Sequence, residues 1–425
     1  MDKNASLVAK RDKIKQSLKA TKAKRKLQSC FVRELKINTS HLSKENYNNL
    51  NLLFIEAKWL RNAMLSSNNI AKFNLSKSLI EVSGFDKHRN PEMKPIRMLS
   101  SQMKQAIQTQ LKNDIKSLST KKKKGFNVGA LRYVSEVNSI DLKQYNRTWS
   151  FKDDFKKISI QGIKTSLKVH GIKQFKFNEL NYDFANAKLI KKATGFYLKI
   201  TYYLYKNELS AHNQELKSNV GLDFGIKNNI TTSDGESFNI LIKESESLKK
   251  AQRAFSKTQK GSNNRYKIRL HMKKLHEKIT NQRTDKANKI VSYLQRNYNT
   301  IFLQDENIAG WHKGAYGTTI QHSALGTIKS KLMNLEQSMI INRAAKSTKQ
   351  CFCGNEINLG LNERTFHCPF CGYKEDRDIK AAKLILLWGE TKQNIINKKA
   401  ISFFNLNYEK SLLRIAETIK TELNQ

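Results

Sequence analysis

The sequence predicts a multidomain α/β plus β protein, and three shifts of periodicity carry that reading. Apolar residues fall at helical spacing between about 43 and 120 and alternate with period two between about 121 and 210. From Val220 onward the order becomes strand and hairpin, helices, strand, helix, which is an α/β order. A chain of 425 residues has room for roughly two to four domains, none of them short of a core.

Residues 1–28 are basic and helix-compatible, and Phe31–Ile37 reads as a short strand. Leu52, Ile55, Trp59 and Ala63 share one face of a helix over about 43–66. Met103, Ile107, Leu111, Ile115 and Leu118 mark a second helix, which stops at the run Lys121–Lys124 and Gly125. These two predict a small helical module. Alternation then predicts strands over Phe126–Val134, Lys157–Ile163, Ser166–Val169 and Phe196–Leu204. They form an antiparallel sheet or small barrel that Phe31–Ile37 completes. Val220–Thr232 reads as a buried strand and hairpin closed by the turn Ser233-Asp234-Gly235. Basic helices over 243–260 and 265–297, a strand at Ile301–Asp305, a helix over 323–345, a cysteine cluster and a helix from near Arg377 complete the chain. Trp59, Trp149 and Trp311 are expected in packing rather than in base stacking.

Lys and Arg number 78 against 36 acidic residues, a formal net charge of +42. Such an excess repels itself unless a polyanion neutralises it, and nucleic acid is the expected partner. The charge is spread along the whole chain rather than along one amphipathic helix, which argues against an anionic membrane surface. A ribosomal or other structural basic protein is the plainer alternative. No stretch reaches the roughly 18 apolar residues that span a bilayer. Met1–Lys26 holds ten Lys/Arg and no apolar core of a secretory leader, so a cytosolic site of action is expected. Lys121, Lys122, Lys123, Lys124, Lys249, Lys250, Arg253, Lys260, Arg265 and Lys267 are the candidate phosphate contacts, on the understanding that most surface lysines are simply solvated.

Three segments place acids next to apolar strands or helices. In Val220-Gly-Leu-Asp-Phe-Gly-Ile226 a carboxylate interrupts an apolar strand, which is costly unless the acid is paired or metal-bound. A strand-edge Asp is the alternative for that segment taken alone. In Thr300–Ile308 an apolar strand runs into Gln304-Asp305-Glu306, with Gln304 and Glu306 expected on one face and Asp305 on the other. In Glu375–Lys383 a helix begins near Asp378, where plain enrichment of acids in a first turn is the alternative. Three such acids could hold two Mg2+ about 4 Å apart, which would clamp the attacking and leaving oxygens of a phosphodiester.

Of five cysteines, Cys30 stands alone and four are crowded into the pairs Cys351/Cys353 and Cys368/Cys371, with fourteen residues between the pairs. In a reducing compartment four thiolates on two Gly-closed knuckles point to one structural Zn2+ rather than to disulfides. The first pair is one residue tighter than the common spacing. His312 and His367 are possible substitutes, though each reads better as a surface or nucleic-acid contact.

The succession V-G-L-D-F-G, K-K-L-H-E-K-I-T-N-Q-R-T-D, Q-D-E-N-I-A-G-W and S-T-K-Q-C-F-C-G…F-H-C-P-F-C-G-Y-K-E-D-R-D-I-K-A-A resembles the TnpB family, the transposon-encoded OrfB-type proteins related to compact type V CRISPR effectors. The likeness covers about 30–385 and includes Phe54–Asn62, Ser135–Tyr145 and Leu167–Gln174. It implies an RNase H-like (RuvC) nuclease with an inserted zinc ribbon, an antiparallel β-barrel-like wedge domain and a small helical recognition module. The implied division is 1–42 (basic segment and first wedge strand), 43–120 (recognition), 121–215 (wedge), 216–345 (first nuclease segment), 346–375 (zinc ribbon) and 376–425 (second nuclease segment and C-terminal tail).

It also implies an RNA-guided DNA endonuclease in which guide RNA pairs with the target strand of double-stranded DNA beside a short protein-read motif. The carried-over acids are Asp223 and Asp378, the latter in the family's D-x-N-A-A pattern with Lys380 in place of Asn. At the second acid the usual E-D-L-N aligns Gln304 with the Glu, while a variant Q-D-E-N pattern moves the acid to Glu306, which is taken as the ligand. If it is not, the alternative is a nuclease-inactive, RNA-guided DNA-binding regulator. A tyrosine-nucleophile transposase is disfavoured, since no His-hydrophobe-His plus Tyr arrangement is evident. Whether the protein acts as monomer or dimer is open.

Overall fold

The computed structural model describes residues 3–67, 69–75, 79–86, 90–177, 179–209, 218–360, 362–393 and 395. The chain divides into two compact units, Met1–His212 and Asn213–Gln425.

The first unit opens with α1 (Lys3–Lys26), β1 (Gln28–Ile37) and α2 (Lys44–Ser66). A hairpin of β2 (Glu81–Phe85) and β3 (Pro91–Pro95) precedes α3 (Ser101–Lys123). Then come β4 (Ser139–Leu142), β5 (Trp149–Lys152), β6 (Lys157–Ile160), β7 (Leu167–His170), β8 (Asp183–Lys192), β9 (Gly195–Tyr205) and the short α4 (Lys206–Leu209). Seven of the strands form one antiparallel, barrel-like sheet in the order β4-β8-β9-β1-β7-β6-β5. In β9, Phe196, Leu198, Ile200, Tyr202 and Leu204 are all buried and the residues between them less so, the period of a strand with one face on a core. Helices α2 and α3 share that core, so Leu53, Leu60 and Met103 pack in the same cluster as Leu189 and Leu198. Ser43 and Ser100 cap the two helices by accepting from the N–H groups of Asn46 and Met103. Trp59 and Trp149 are in this packing.

Phe126–Val134 is not a strand. Its alternation leaves Phe126 and Tyr133 exposed, and its backbone bonds side chains instead: Asn62 exchanges two hydrogen bonds with Val134, and Arg61 donates to the Arg132 carbonyl.

The second unit comprises β10 (Val220–Phe224), β11 (Ile230–Thr232), β12 (Ser237–Phe238), α5 (Glu246–Lys257), α6 (Asn263–Asn297) and β13 (Ile301–Gln304). After them follow α7 (Ile308–Trp311), α8 (Gly317–His322), α9 (Leu325–Leu332), β14 (Ser338–Ile341), β15 (Thr365–His367), β16 (Lys374–Asp376) and α10 (Arg377–Glu390). The sheet runs β12-β11-β10-β13-β14; its first three strands are antiparallel, while β13 and β14 run parallel to β10. Trp311 packs on its core. The single helix expected over 323–345 is instead α9 followed by β14. Ser338-Met-Ile-Ile is buried at all four positions, and an apolar run of that length buried on both faces has no period that separates strand from helix.

Candidate active site and metal centre

Asp223 sits on the central strand β10, where Val220, Leu222 and Phe224 point into the core and Asp223 is half-buried on the other face. Helix α10 lies directly against that strand. A Cβ on Gly221 would come within 2.0 Å of the Ala382 carbonyl oxygen, and one on Gly389 would enter the ring of Phe302 on β13. Two glycines therefore set the closeness of helix and sheet. Asp378 lies in the first turn of α10, with its N–H and that of Ile379 held by the capping carboxylate of Asp376. Its own carboxylate is nearly buried and meets Arg364 Nη1 at 3.3 Å and Arg377 Nε at 3.7 Å.

Strand β13 ends at Gln304, so Glu306 lies beyond it on the loop into α7 and not on the strand face that spacing suggests. Lys329 fixes this loop by donating to Asp305 Oδ1 at 2.6 Å and to the Glu306 carbonyl at 2.5 Å. Loss of water, then the negative charges of Asp378 and Glu306, hold the Asp223 carboxyl well above the usual carboxylate range. Burial also raises Glu306, against the pull of Lys329 and Arg343. Asp305 is the reverse: the Lys329 hydrogen bond and the Arg343 charge hold it low. The geometry thus separates the two neighbours, with Asp305 held in ion pairs to Lys329 and Arg343 and Glu306 outside them. The three carboxylates are not gathered as tightly as the cysteines, whose four sulfurs form the only cluster of this kind within 4.8 Å among the described residues. A pair of ions about 4 Å apart spans wider ligands than one ion does.

Gln304 is buried and turned away from these acids. Its Nε2 donates to the carbonyls of Asn342 and Ala345, and its Oε1 accepts from Ser347 Oγ at 2.8 Å. Lys380, also fully buried, donates to the carbonyls of Ser347, Thr348 and Gln350 at 2.8–2.9 Å.

Cys351 and Cys371 lie 3.6 Å apart and Cys353 and Cys368 3.7 Å. These separations match the edge of about 3.8 Å of a tetrahedron with Zn–S bonds of about 2.3 Å, and they exceed any disulfide bond. Burial works against the Cys353 thiolate, but hydrogen bonds from Asn355 outweigh it and bring this thiol down to about 6. Gly354 and Gly372 take positive φ at the two knuckles. His367 is on β15, exposed, and outside this cluster.

Of the candidate phosphate contacts, Lys121–Lys124 end α3 and are exposed, as are Lys250, Arg253, Lys260 and Lys267. Lys249 pairs with Glu246. Arg265 is committed otherwise: it donates to the carbonyls of Phe255 and Thr258 and lies 3.8 Å over the Phe255 ring, stapling the α5–α6 hairpin. No spacing signal announced this staple, nor Arg364 and Arg377 beside Asp378.

Two family models match the second unit and the end of the first in chain order. OrfB_IS605, described as a probable transposase, matches residues 202–313, and the Cas12f1-like TNB domain matches residues 327–385. Asp223 and Glu306 fall in the first match, and all four clustered cysteines and Asp378 fall in the second.

The matched residues fall within 202–313 and 327–385 of the chain. A putative RNA-guided DNA endonuclease of Streptomyces pristinaespiralis is 34% identical to this chain over 181 residues, 40% of this chain and 45% of that protein. The putative RNA-guided DNA endonuclease InsQ of Escherichia coli K12 is 28% identical over 209 residues, 43% of this chain and 52% of that one. The chain thus spans about half the length of the curated relatives it matches. The solved cryo-EM structure of a Cas12f1–sgRNA–target DNA complex is 12% identical, covers 84% of this chain and 98% of that one, and has a TM-score of 0.23.

Proposed function

We propose that this protein is an RNA-guided DNA endonuclease with a RuvC-type site formed by Asp223, Glu306 and Asp378. The observation that carries the reading is electrostatic. Burial first, and then the charges of Asp378 on a helix and Glu306 on a loop, raise the carboxyl of Asp223 on its strand. A fold retains such repulsion when a cation relieves it. The sheet order β12-β11-β10-β13-β14, with the first acid on the central strand and the third at the start of the helix packed on it, supports an RNase H-like nuclease.

Two Mg2+ held by these acids would supply the charge that activates water and steadies the leaving oxygen of a phosphodiester. The chain's own role is to hold the ligands. Gly221 and Gly389 admit α10 against the sheet, Asp376 aims the first turn, and Lys329 pins the loop of Glu306. Arg364 and Arg377 balance the charge of Asp378. Zn2+ on Cys351, Cys353, Cys368 and Cys371 would be structural, and it suits four thiols at these spacings. A guide RNA and double-stranded target DNA are the partners, matched to the charge of +42, and action in the cytosol goes with them. Among the described residues no helix is long and apolar enough to cross a membrane.

Gln304 at the position of the usual acid favours one second reading, an RNA-guided binder that does not cut. Plasmid cleavage by the protein with its copurified RNA and Mg2+, absent in Asp223→Ala, supports the nuclease. Guide-directed binding without cleavage supports the binder.

A further inference from the structure

Two side chains that depart from the usual family residues, Gln304 and Lys380, converge on one stretch of backbone. From the end of β13, Gln304 donates to Asn342 at 3.1 Å and to Ala345, and it accepts from Ser347 at 2.8 Å. From α10, Lys380 spends all three ammonium protons on Ser347, Thr348 and Gln350, with the Phe366 ring 3.8 Å from its nitrogen. Ser347 touches both. A Glu at 304 would have no donor and would face carbonyls, and an Asn at 380 is shorter and has two donors where three are used. Each departure is therefore matched to the same backbone.

The stretch 342–350 links the two centres. Its Arg343 donates to the Asp305 carbonyl at 2.7 Å and to Asp305 Oδ2 at 3.1 Å, one residue before Glu306. Its other end leads directly into Cys351. We propose that Gln304 and Lys380 are positioning residues that act as one two-sided clamp. By holding 342–350 they fix Glu306 and Cys351 together, so that the four-cysteine centre and the carboxylate centre are set as a unit. Gln304 is then not a vestige of a lost acid but the residue that lets Glu306 serve in its place. Only the cleavage measurement below rests on the nuclease reading.

The test uses the full chain with Gln304→Glu, Lys380→Met and the double variant. Lys380→Gln replaces Lys380→Met if the latter does not fold. Hydrogen exchange of 342–350, zinc loss to a chelator, Tb3+ titration of the carboxylates and the Mg2+ concentration for half-maximal cleavage are measured. Each single variant is expected to speed exchange and zinc loss by about tenfold or more, as the loss of hydrogen bonds to a charged or buried amide group implies. Tb3+ affinity should fall and the Mg2+ requirement rise by about fivefold, with less change in kcat, since ligand placement rather than chemistry is disturbed. The double variant should match the worse single variant within about twofold, because a clamp once opened is open. Effects of the two changes that simply multiply would overturn the proposal. So would Gln304→Glu with unchanged exchange and metal dependence. Should the wild-type chain not cleave at all, the exchange, zinc and Tb3+ measurements still decide the clamp while the nuclease reading falls separately.

Discussion

A Cβ on Gly221 would lie 2.0 Å from the carbonyl oxygen of Ala382, so the strand of Asp223 and the helix of Asp378 meet backbone to backbone. Gly221→Ala must push α10 off the sheet. It is expected to cost about 3 kcal/mol, the upper end for overpacking, and to abolish cleavage. Urea denaturation gives the first number and plasmid assays the second. Wild-type stability in Gly221→Ala would show that the helix can retreat without cost.

The raised carboxyl of Asp223 makes a prediction about pH. Its folded pKa lies above its unfolded value, so its ionised form opposes folding. Without divalent metal, stability should therefore fall as pH rises from about 4 through the raised pKa, and level off above it. Asp223→Asn should remove that slope and stabilise the metal-free chain at pH 7, while ending Mg2+-dependent cleavage. Denaturation in chelator at several pH values checks the sign. A stability curve for Asp223→Asn that tracks wild type would count against the crowding of the three acids.

Asp305 and Glu306 are neighbours with opposite assignments. Glu306→Gln is expected to lower cleavage by about a thousandfold, a loss in keeping with removing a metal ligand. Asp305→Asn breaks ion pairs with Lys329 and Arg343 and should lower cleavage far less. The two rates, measured at saturating Mg2+, decide which acid holds metal, and reversed losses would exchange the roles.

Cys368→Ser should abolish the zinc binding proposed for the four-cysteine cluster and lower the thermal midpoint, with cleavage falling in step. Metal content by mass spectrometry and a melting curve suffice. Full zinc, or zinc lost with neither stability nor cleavage changed, would remove the four-cysteine centre from the structure's support.

In the first unit the buried Glu56 accepts from the N–H groups of Arg97, Met98 and Leu99 at 2.8–3.0 Å. Glu56→Gln turns one acceptor into a donor facing donors. It should cost about 2–3 kcal/mol. Denaturation of the full chain followed by a probe in the first unit tests this, and a loss below about 0.5 kcal/mol would mean the loop before α3 finds other partners.

The long alternation of β9 and the stripe of α3 were legible in the sequence because each has a single period. For α2 the helix was legible but its buried face was not: Ile55 is exposed, and Leu50, Leu53, Phe54, Ala57, Leu60 and Met64 carry the core, because the helix is apolar on more than one side. β14 was not, because a strand buried on both faces shows none. Phe126–Val134 misled in the opposite way, with an alternation whose apolar residues stay in solvent. The hairpin of β2 and β3 left no signal strong enough to read beside its two prolines. At the proposed site, motif order pointed to Asp223 and Asp378 and was enough to find the cysteine cluster. The loop position of Glu306 and the burial of Gln304 and Lys380 depend on hydrogen bonds between residues 23 to 41 positions apart, which no local pattern records.

Asp376 is both the last residue of β16 and the cap of α10. No spacer separates the cysteine-bearing hairpin from the helix that presents Asp378. An engineer exchanging this region between relatives therefore has no neutral splice point there. A workable cassette has to begin before Ser338 and end after Glu390, carrying strand, ribbon and helix as one inherited piece.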